Sequence, residues 1–384
     1  MKLKLNLMTL GMFVIGTDGY VIAGILPQLA GTAHVSVGVA GQLITVFALC
    51  YAVFSPLTAS LFGRMDRKRL LMLALCIFAV GNVIFALAPS YAFMALGRVV
   101  AAFGASAYTP VAMTITGAIS PQATRGKAIA YLNAGMTTAT VIGVPIGTLV
   151  GDRFGYRVLF TTISLLALLS AVVILLLFDP LPSTNSVPLR KRLAALALPG
   201  VVPTVLVSLF VFVGAFTMYS YVSQWLKEFA HMPDSMLSVA LFAFGLGGML
   251  GNWAGGRLID HSGVRLTVTL SSGLLAAVFL LMRVFGGSPV AAFVLTLVWG
   301  ACGWLLAPAQ QYRLMQLGGE QGQLLVSLNA SAMYLGIGTS GVTGALSINL
   351  LGVQNLPLVG MGFALAALIL TVIFYGRRKA VSVG

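Results

Sequence analysis

The stretch DPLPSTNSVPLRKR, residues 179–192, holds three prolines and three cations. It is the longest polar insert in an otherwise apolar chain. Six long apolar segments precede it, at about 6–30, 37–62, 70–88, 91–118, 127–151 and 158–178. Six more follow, at about 200–226, 235–258, 266–284, 289–312, 322–349 and 355–376. Each has about the 20 residues that a helix needs to cross a hydrocarbon core of about 30 Å. The insert therefore reads as a linker, 181–196, between an N-terminal half, 1–180, and a C-terminal half, 197–384.

Composition fixes the class. Of the 384 residues, 59% are hydrophobic and 8% charged, whereas soluble domains carry about 25% charged residues. Mean hydropathy is +1.01. In a bilayer every backbone polar group must be satisfied internally, which leaves helices or a closed barrel. Long unbroken apolar runs choose helices over ten-residue alternation. The opening MKLKLNLM has two lysines and no small-residue cleavage site, so it reads as the approach to the first span rather than a removable signal. The expected fold is all-α and membrane-integral: twelve transmembrane helices in two pseudo-symmetric six-helix bundles.

The net charge of +14 is a topology signal and does not point to nucleic acid. With both termini cytoplasmic, the cations at 2, 4, 64, 67–69, 125, 127, 190–192, 257, 265, 313 and 377–379 share one side. Arg153, Arg157, Lys227 and Arg283 fall on the other, the asymmetry of the positive-inside rule. Cys50, Cys76 and Cys302 lie within apolar runs, and His34, His231 and His261 are scattered among loops. No metal cluster, disulfide framework or cofactor is expected. An enzyme would need clustered catalytic groups, and none stands out. No glycine loop precedes a Lys-Ser or Lys-Thr pair, so ATP does not drive this chain.

The halves repeat. LNA at 132–134 recurs at 328–330, and Pro110 matches Pro308. At an offset of 197, Ala59, Gly63, Asp66 and Lys68 fall on Gly256, Asp260, Gly263 and Arg265. Repeated halves facing a midplane site are the architecture of alternating-access transporters.

With those landmarks in place, the chain resembles the major facilitator superfamily over nearly its whole length. VIGVPIGTLVGDRFGYRVLF (141–160) is similar to motif C, the helix-5 signature of its proton-driven antiporters, with Gly143, Pro145, Gly147 and Gly151 in register. Small residues let helices approach closely, and Pro145 removes a backbone hydrogen bond. The resemblance implies gating or packing for these four; a tightly packed kinked helix would explain them equally. ASLFGRMDRKR (59–69) is similar to motif A but has Gly63 where the loop carboxylate belongs, keeping Arg64, Arg67 and Lys68. The second copy, GRLIDHSGVR (256–265), retains Asp260, which the resemblance makes a gating residue. LGRVVAAFGASAYTP (96–110) resembles motif B, with Arg98 as the in-membrane arginine. Helices 10 and 11 look like the branch that exports drugs, sugars (arabinose-like), chloramphenicol or purine-like compounds.

One acid stands near the midplane: Asp18, in GTDGYVIAGILPQLA (16–30). A charge there costs about 2.5–3.5 kcal/mol on insertion scales. At 1.5 Å per residue Asp18 lies about 18 Å below the outer helix end and Arg98 about 10 Å below it. An extended arginine spans that difference. Burial opposes ionisation and a neighbouring guanidinium favours it, so the pair is the candidate proton-coupling site. A static buried ion pair is the bland alternative, and a poor source of stability. The resembling branch often carries its acid one residue later, where this chain has Gly19, and the repeat equivalent of Asp18 is Ala215. Coupling is therefore expected in the N-terminal half alone. Asn133, Tyr219, Gln224, Trp225 and Asn329 are substrate-cavity candidates, although amides also bond across helices and aromatic rings favour interfaces. The expected activity is proton-coupled efflux of a small amphipathic or polar molecule across the bacterial inner membrane by a monomer. The rival is a proton-independent facilitator of a sugar- or nucleoside-like solute.

Overall fold

The computed structural model describes residues 2–62, 65–121, 124–179 and 189–375, and no strand occurs among them. In the N-terminal half, α1 is Lys2–Ala33, α2 Val37–Leu61, α3 Arg67–Ala86 and α4 Tyr91–Ile119. Helix α5, residues 125–154, contains a π-helical turn at Ala139–Gly143, and α6 is Tyr156–Leu177. In the C-terminal half, α7 is Val201–Ser220, continuing after a break at Tyr221 as Val222–Glu228. The continuous element Asp234–Phe285 is two passes, since Gly263 within it has φ 77° and ψ 168°. These are α8 (234–262) and α9 (264–285). The last three are α10 (Pro289–Trp304, continuing to Gly318), α11 (Gly322–Leu351) and α12 (Leu356–Phe374).

Twelve passes result among the described residues, and the reversals between them reveal the repeat. Gly155 (φ 88°, ψ 155°) separates α5 from α6, and Gly352 (φ 83°, ψ 157°) follows α11. They stand 197 residues apart in a conformation that residues with a Cβ rarely adopt. Side chains such as Leu165, Leu176, Val290 and Leu350, all more than half exposed, coat the outside of the bundle. A lipid environment accounts for that apolar surface.

Two connections carry local structure of their own. Of the linker, 181–188 lies outside the described residues, and its remainder is ordered as a helix, Leu189–Ala194, and a 3-10 turn, Ala195–Ala197. Leu196 and Ala195 pack there with Val201, Leu314 and Leu325. Asp66 caps α3: its carboxylate accepts from the Arg69 backbone N–H at 2.9 Å. An Asp in that position satisfies one of the free donors at a helix start.

Candidate functional site

Asp18 is set in place by the glycines of α5. A methyl group at Gly147 would lie 2.7 Å from the Val21 side chain, and one at Gly151 equally close to Ile25. A methyl at Gly143 would overlap Thr17. Residues 143, 147 and 151 thus seat 17, 21 and 25 one turn at a time, bringing α1 and α5 into backbone-close contact. Asp18, next to Thr17, turns toward α2 and α4. Arg98 Nη1 donates to both Asp18 oxygens, at 2.9 and 3.0 Å. The guanidinium lies 4.1 Å above the Phe47 ring. Neither side chain is more than 1% exposed. One nitrogen serves both oxygens, while Arg98 Nε and Nη2 have no hydrogen-bond partner among the described residues. This falls short of the two-nitrogen fork that makes such pairs strong, so stability alone does not explain the pair.

The two halves meet at the end of the bundle farthest from the chain termini. The Tyr221 hydroxyl donates to the Gly341 carbonyl at 2.7 Å, with that of Gly38 at 3.4 Å. The Ser223 hydroxyl donates to Ala23 O at 2.7 Å, and Gln42 Nε2 to Gly341 O at 3.2 Å. Tyr219 reaches Tyr20 O at 3.4 Å. Most of the side-chain hydrogen bonds between halves among the described residues lie in this region. Toward the middle, Tyr51 of α2 stacks on Tyr334 of α11 with ring centres 3.7 Å apart. The α5 backbone at Val141 packs against Gly245 of α8, where a methyl would come within 2.6 Å of it. The bundle is closed at one end.

This geometry has relatives. The sequence model of the Major Facilitator Superfamily matches residues 8–340. The chain belongs to the major facilitator superfamily. It is 30% identical to the inner membrane transport protein YdhP of Escherichia coli over 99% of this chain and 97% of YdhP. It is 31% identical to a chloramphenicol resistance protein of Streptomyces lividans, covering 80% of this chain and 79% of that protein. Its fold is similar to a crystal structure of a bacterial homologue of the human lysosomal transporter Spinster in an inward-facing, occupied conformation. There the TM-score is 0.78 at 17% identity, covering 98% of both chains.

Within the superfamily fold, other expected site residues scatter. Pro145 sits at the start of the α-helical stretch Val144–Phe154, directly after the π-helical turn. The irregularity precedes the proline because its missing N–H frees a carbonyl one turn earlier. Asp260 is exposed and forms no ion pair among the described residues. Arg67 is buried at the start of α3, and Arg64 lies outside the described residues. Trp225 is fully buried, with a methyl at Gly286 placed 2.7 Å from its ring. Gln224 bonds Glu228 at 2.9 Å. Both lie on α7 beyond its break at Tyr221, in the region where the halves meet. Asn329 is buried, its Nδ2 3.5 Å from Met333 Sδ and its Oδ1 unpartnered. Asn133 is half-buried with no side-chain hydrogen bond among the described residues. Tyr219 is buried against Phe244 and Trp299, at 4.9 and 6.2 Å between ring centres.

Sequence reasoning missed the aromatic residues that do most of the joining. Phe47, Tyr51, Tyr221 and Tyr334 are unremarked among 22 Phe and 11 Tyr. A usable signal was the repeat itself, because Phe244 stands 197 residues beyond Phe47.

Proposed function

We propose that the protein exports a small amphipathic or polar molecule across the bacterial inner membrane in exchange for protons, as a monomer with both termini cytoplasmic. The observation that carries this reading is the enclosed Asp18–Arg98 pair in a bundle sealed at one end. An intramembrane ionisable group is functional by default, and this pair has incomplete geometry where a structural pair would have a full fork. Rocking of residues 1–180 against 197–384 would break the Tyr221 and Ser223 contacts and admit water from the periplasmic side. Asp18 would then take a proton on a carboxylate oxygen, releasing Nη1 of Arg98. In the conformation closed at that end, the proton leaves toward the cytoplasm, and Arg98 recaptures the carboxylate. Support also comes from the printed names of relatives, an inner membrane transport protein and a chloramphenicol resistance protein.

The test uses proteoliposomes with an imposed pH gradient and chloramphenicol as first probe. Asp18→Asn should abolish uphill movement and leave downhill exchange. Undiminished uphill pumping by Asp18→Asn would end the coupling scheme. Downhill movement by wild type that ignores the gradient would favour a proton-independent facilitator of a sugar- or nucleoside-like solute, a reading in which the fully enclosed pair is a static strut.

A further inference from the structure

The position matching Asp18 in the second half is not a vacant copy of the first site. Ala215, 197 residues beyond Asp18, lines a hollow with Phe212, Phe216, Phe244, Trp299 and Trp304. About 310 Å³ of empty space lies there, its open side included. Phe244 is the counterpart of Phe47, the ring beneath Arg98. A methyl at Gly300 would meet Gly248 N at 3.1 Å; that close approach of α10 to α8 sets Phe244 and Trp299 with ring centres 4.6 Å apart. Phe212 and Phe216 stack at 5.5 Å with an interplanar angle of 11°.

Two observations define what fits. No side chain lining the hollow carries a formal charge or a hydroxyl. The indole N–H of Trp299 is buried and has no acceptor among the described residues. An unpartnered buried donor costs about 1–3 kcal/mol, and since the nitrogen is covered, Trp299 would recover this by turning its ring edge to a bound acceptor. Flat rings in offset or edge-on contact suit an aromatic guest. A sugar would leave several hydroxyls unpaired against this wall, each at a cost.

We propose that this hollow seats the aromatic end of a neutral cargo carrying a hydrogen-bond acceptor for Trp299. The proposal rests on the export reading for its physiological meaning and specifies the cargo class. Proton handling then belongs to Asp18 in one half, and cargo recognition to the symmetry-related place in the other.

The test is equilibrium binding of 4-nitrobenzyl alcohol to the purified full-length protein in lipid nanodiscs, by calorimetry at one pH. Phenyltrimethylammonium, benzoate and methyl glucoside serve as comparison probes. The neutral nitroaromatic should bind at least tenfold tighter than any of the three. A methyl at Gly303 meets nothing within 4 Å, so Gly303→Leu should fill the hollow without disturbing the helix, and binding should fall more than tenfold. Trp299→Phe keeps the ring and removes the donor, and should weaken the nitro compound about tenfold while sparing toluene. Should Gly303→Leu fold poorly, Trp299→Phe alone decides through that contrast. Unaltered binding in either folded variant, equal binding of the cation, anion or glucoside, or no binding to wild type overturns the assignment. Binding at fixed pH needs no coupling, so failure of Asp18→Asn to stop uphill pumping would refute coupling through Asp18 and leave this site standing.

Discussion

The same place in the two halves holds opposite chemistry. Around residue 18 the N-terminal half encloses an ion pair against the Phe47 ring. Around residue 215 the C-terminal half leaves a hollow beside Phe244, its counterpart. The helices, reversals and offset of the repeat are kept, and even the Gly155 and Gly352 torsions agree within a few degrees. What diverges is the pair of side chains that decides whether the space is filled by charge or left for a guest. A repeat supplies two equivalent positions, and only one of them needs to bear the cost of a buried ion.

Locking the halves together makes the largest break. A Cβ on Gly38 would lie 3.4 Å from the Ala345 Cβ, close to the separation of about 3.5–4.5 Å that a disulfide spans. With Cys50, Cys76 and Cys302 replaced, Gly38→Cys with Ala345→Cys should oxidise readily and arrest transport until a reductant is added. Binding of 4-nitrobenzyl alcohol should survive, since the hollow lies within one half. Transport that continues through a completed cross-link would show that the halves need not part there.

Next in size is Arg98→Met. It strands a buried carboxylate, and breaking such a pair costs about 3–5 kcal/mol. Thermal unfolding in nanodiscs should show that loss, and the double variant Asp18→Asn, Arg98→Met should recover most of it. Recovery without uphill transport would separate stability from coupling; a double variant as unstable as the single one would make the pair a structural strut.

The counterpart rings give a finer contrast. Phe47→Leu removes a desolvated cation–π contact worth about 2 kcal/mol and should move the pH midpoint of transport while leaving probe affinity alone. Phe244→Leu should do the reverse, weakening the probe about tenfold with the midpoint unmoved. If both variants shift both readouts, the division between halves is wrong.

The smallest effect concerns an exposed pair. Lys4 Nζ lies 2.7 Å from Asp179 Oδ2, where Asp179 is 85% exposed. The hydrogen bond from Lys4, and then its charge, hold the Asp179 carboxyl below its usual range. Its contribution is present above the unfolded carboxylate pKa and lost as pH falls through the lower folded value. Asp179→Asn should leave the melting temperature at pH 7 unchanged within error, as solvent screening predicts for surface pairs. A clear drop there, vanishing in acid, would place this contact among the real supports of the N-terminal half.

Much of the fold was legible because lipid imposes simple rules on sequence. Apolar runs of spanning length, cations on alternate loops and landmarks repeated near 197 residues fix twelve helices in two halves. Helix ends were less clear: Gly263 alone divides what is otherwise one 52-residue helix, and Leu189–Ala194 forms a short helix of its own. That Arg98 is within reach of Asp18 followed from depth, since rise per residue is constant; that α1 and α4 turn these side chains toward each other did not.

Depth along the membrane is written in sequence, but angle around the bundle is not. Which face of α1 meets α5, that Trp225 and Gln224 belong to a closed end, and that Trp299 keeps a free N–H beside a hollow all depend on how helices rotate and close-pack. Glycines decide that by the contacts they allow, and those contacts exist only once both helices are present. The chain determined by itself the number of passes, the repeat and the expensive charge. The tertiary structure alone decided which ring stands beside that charge and which part of the other half remains empty.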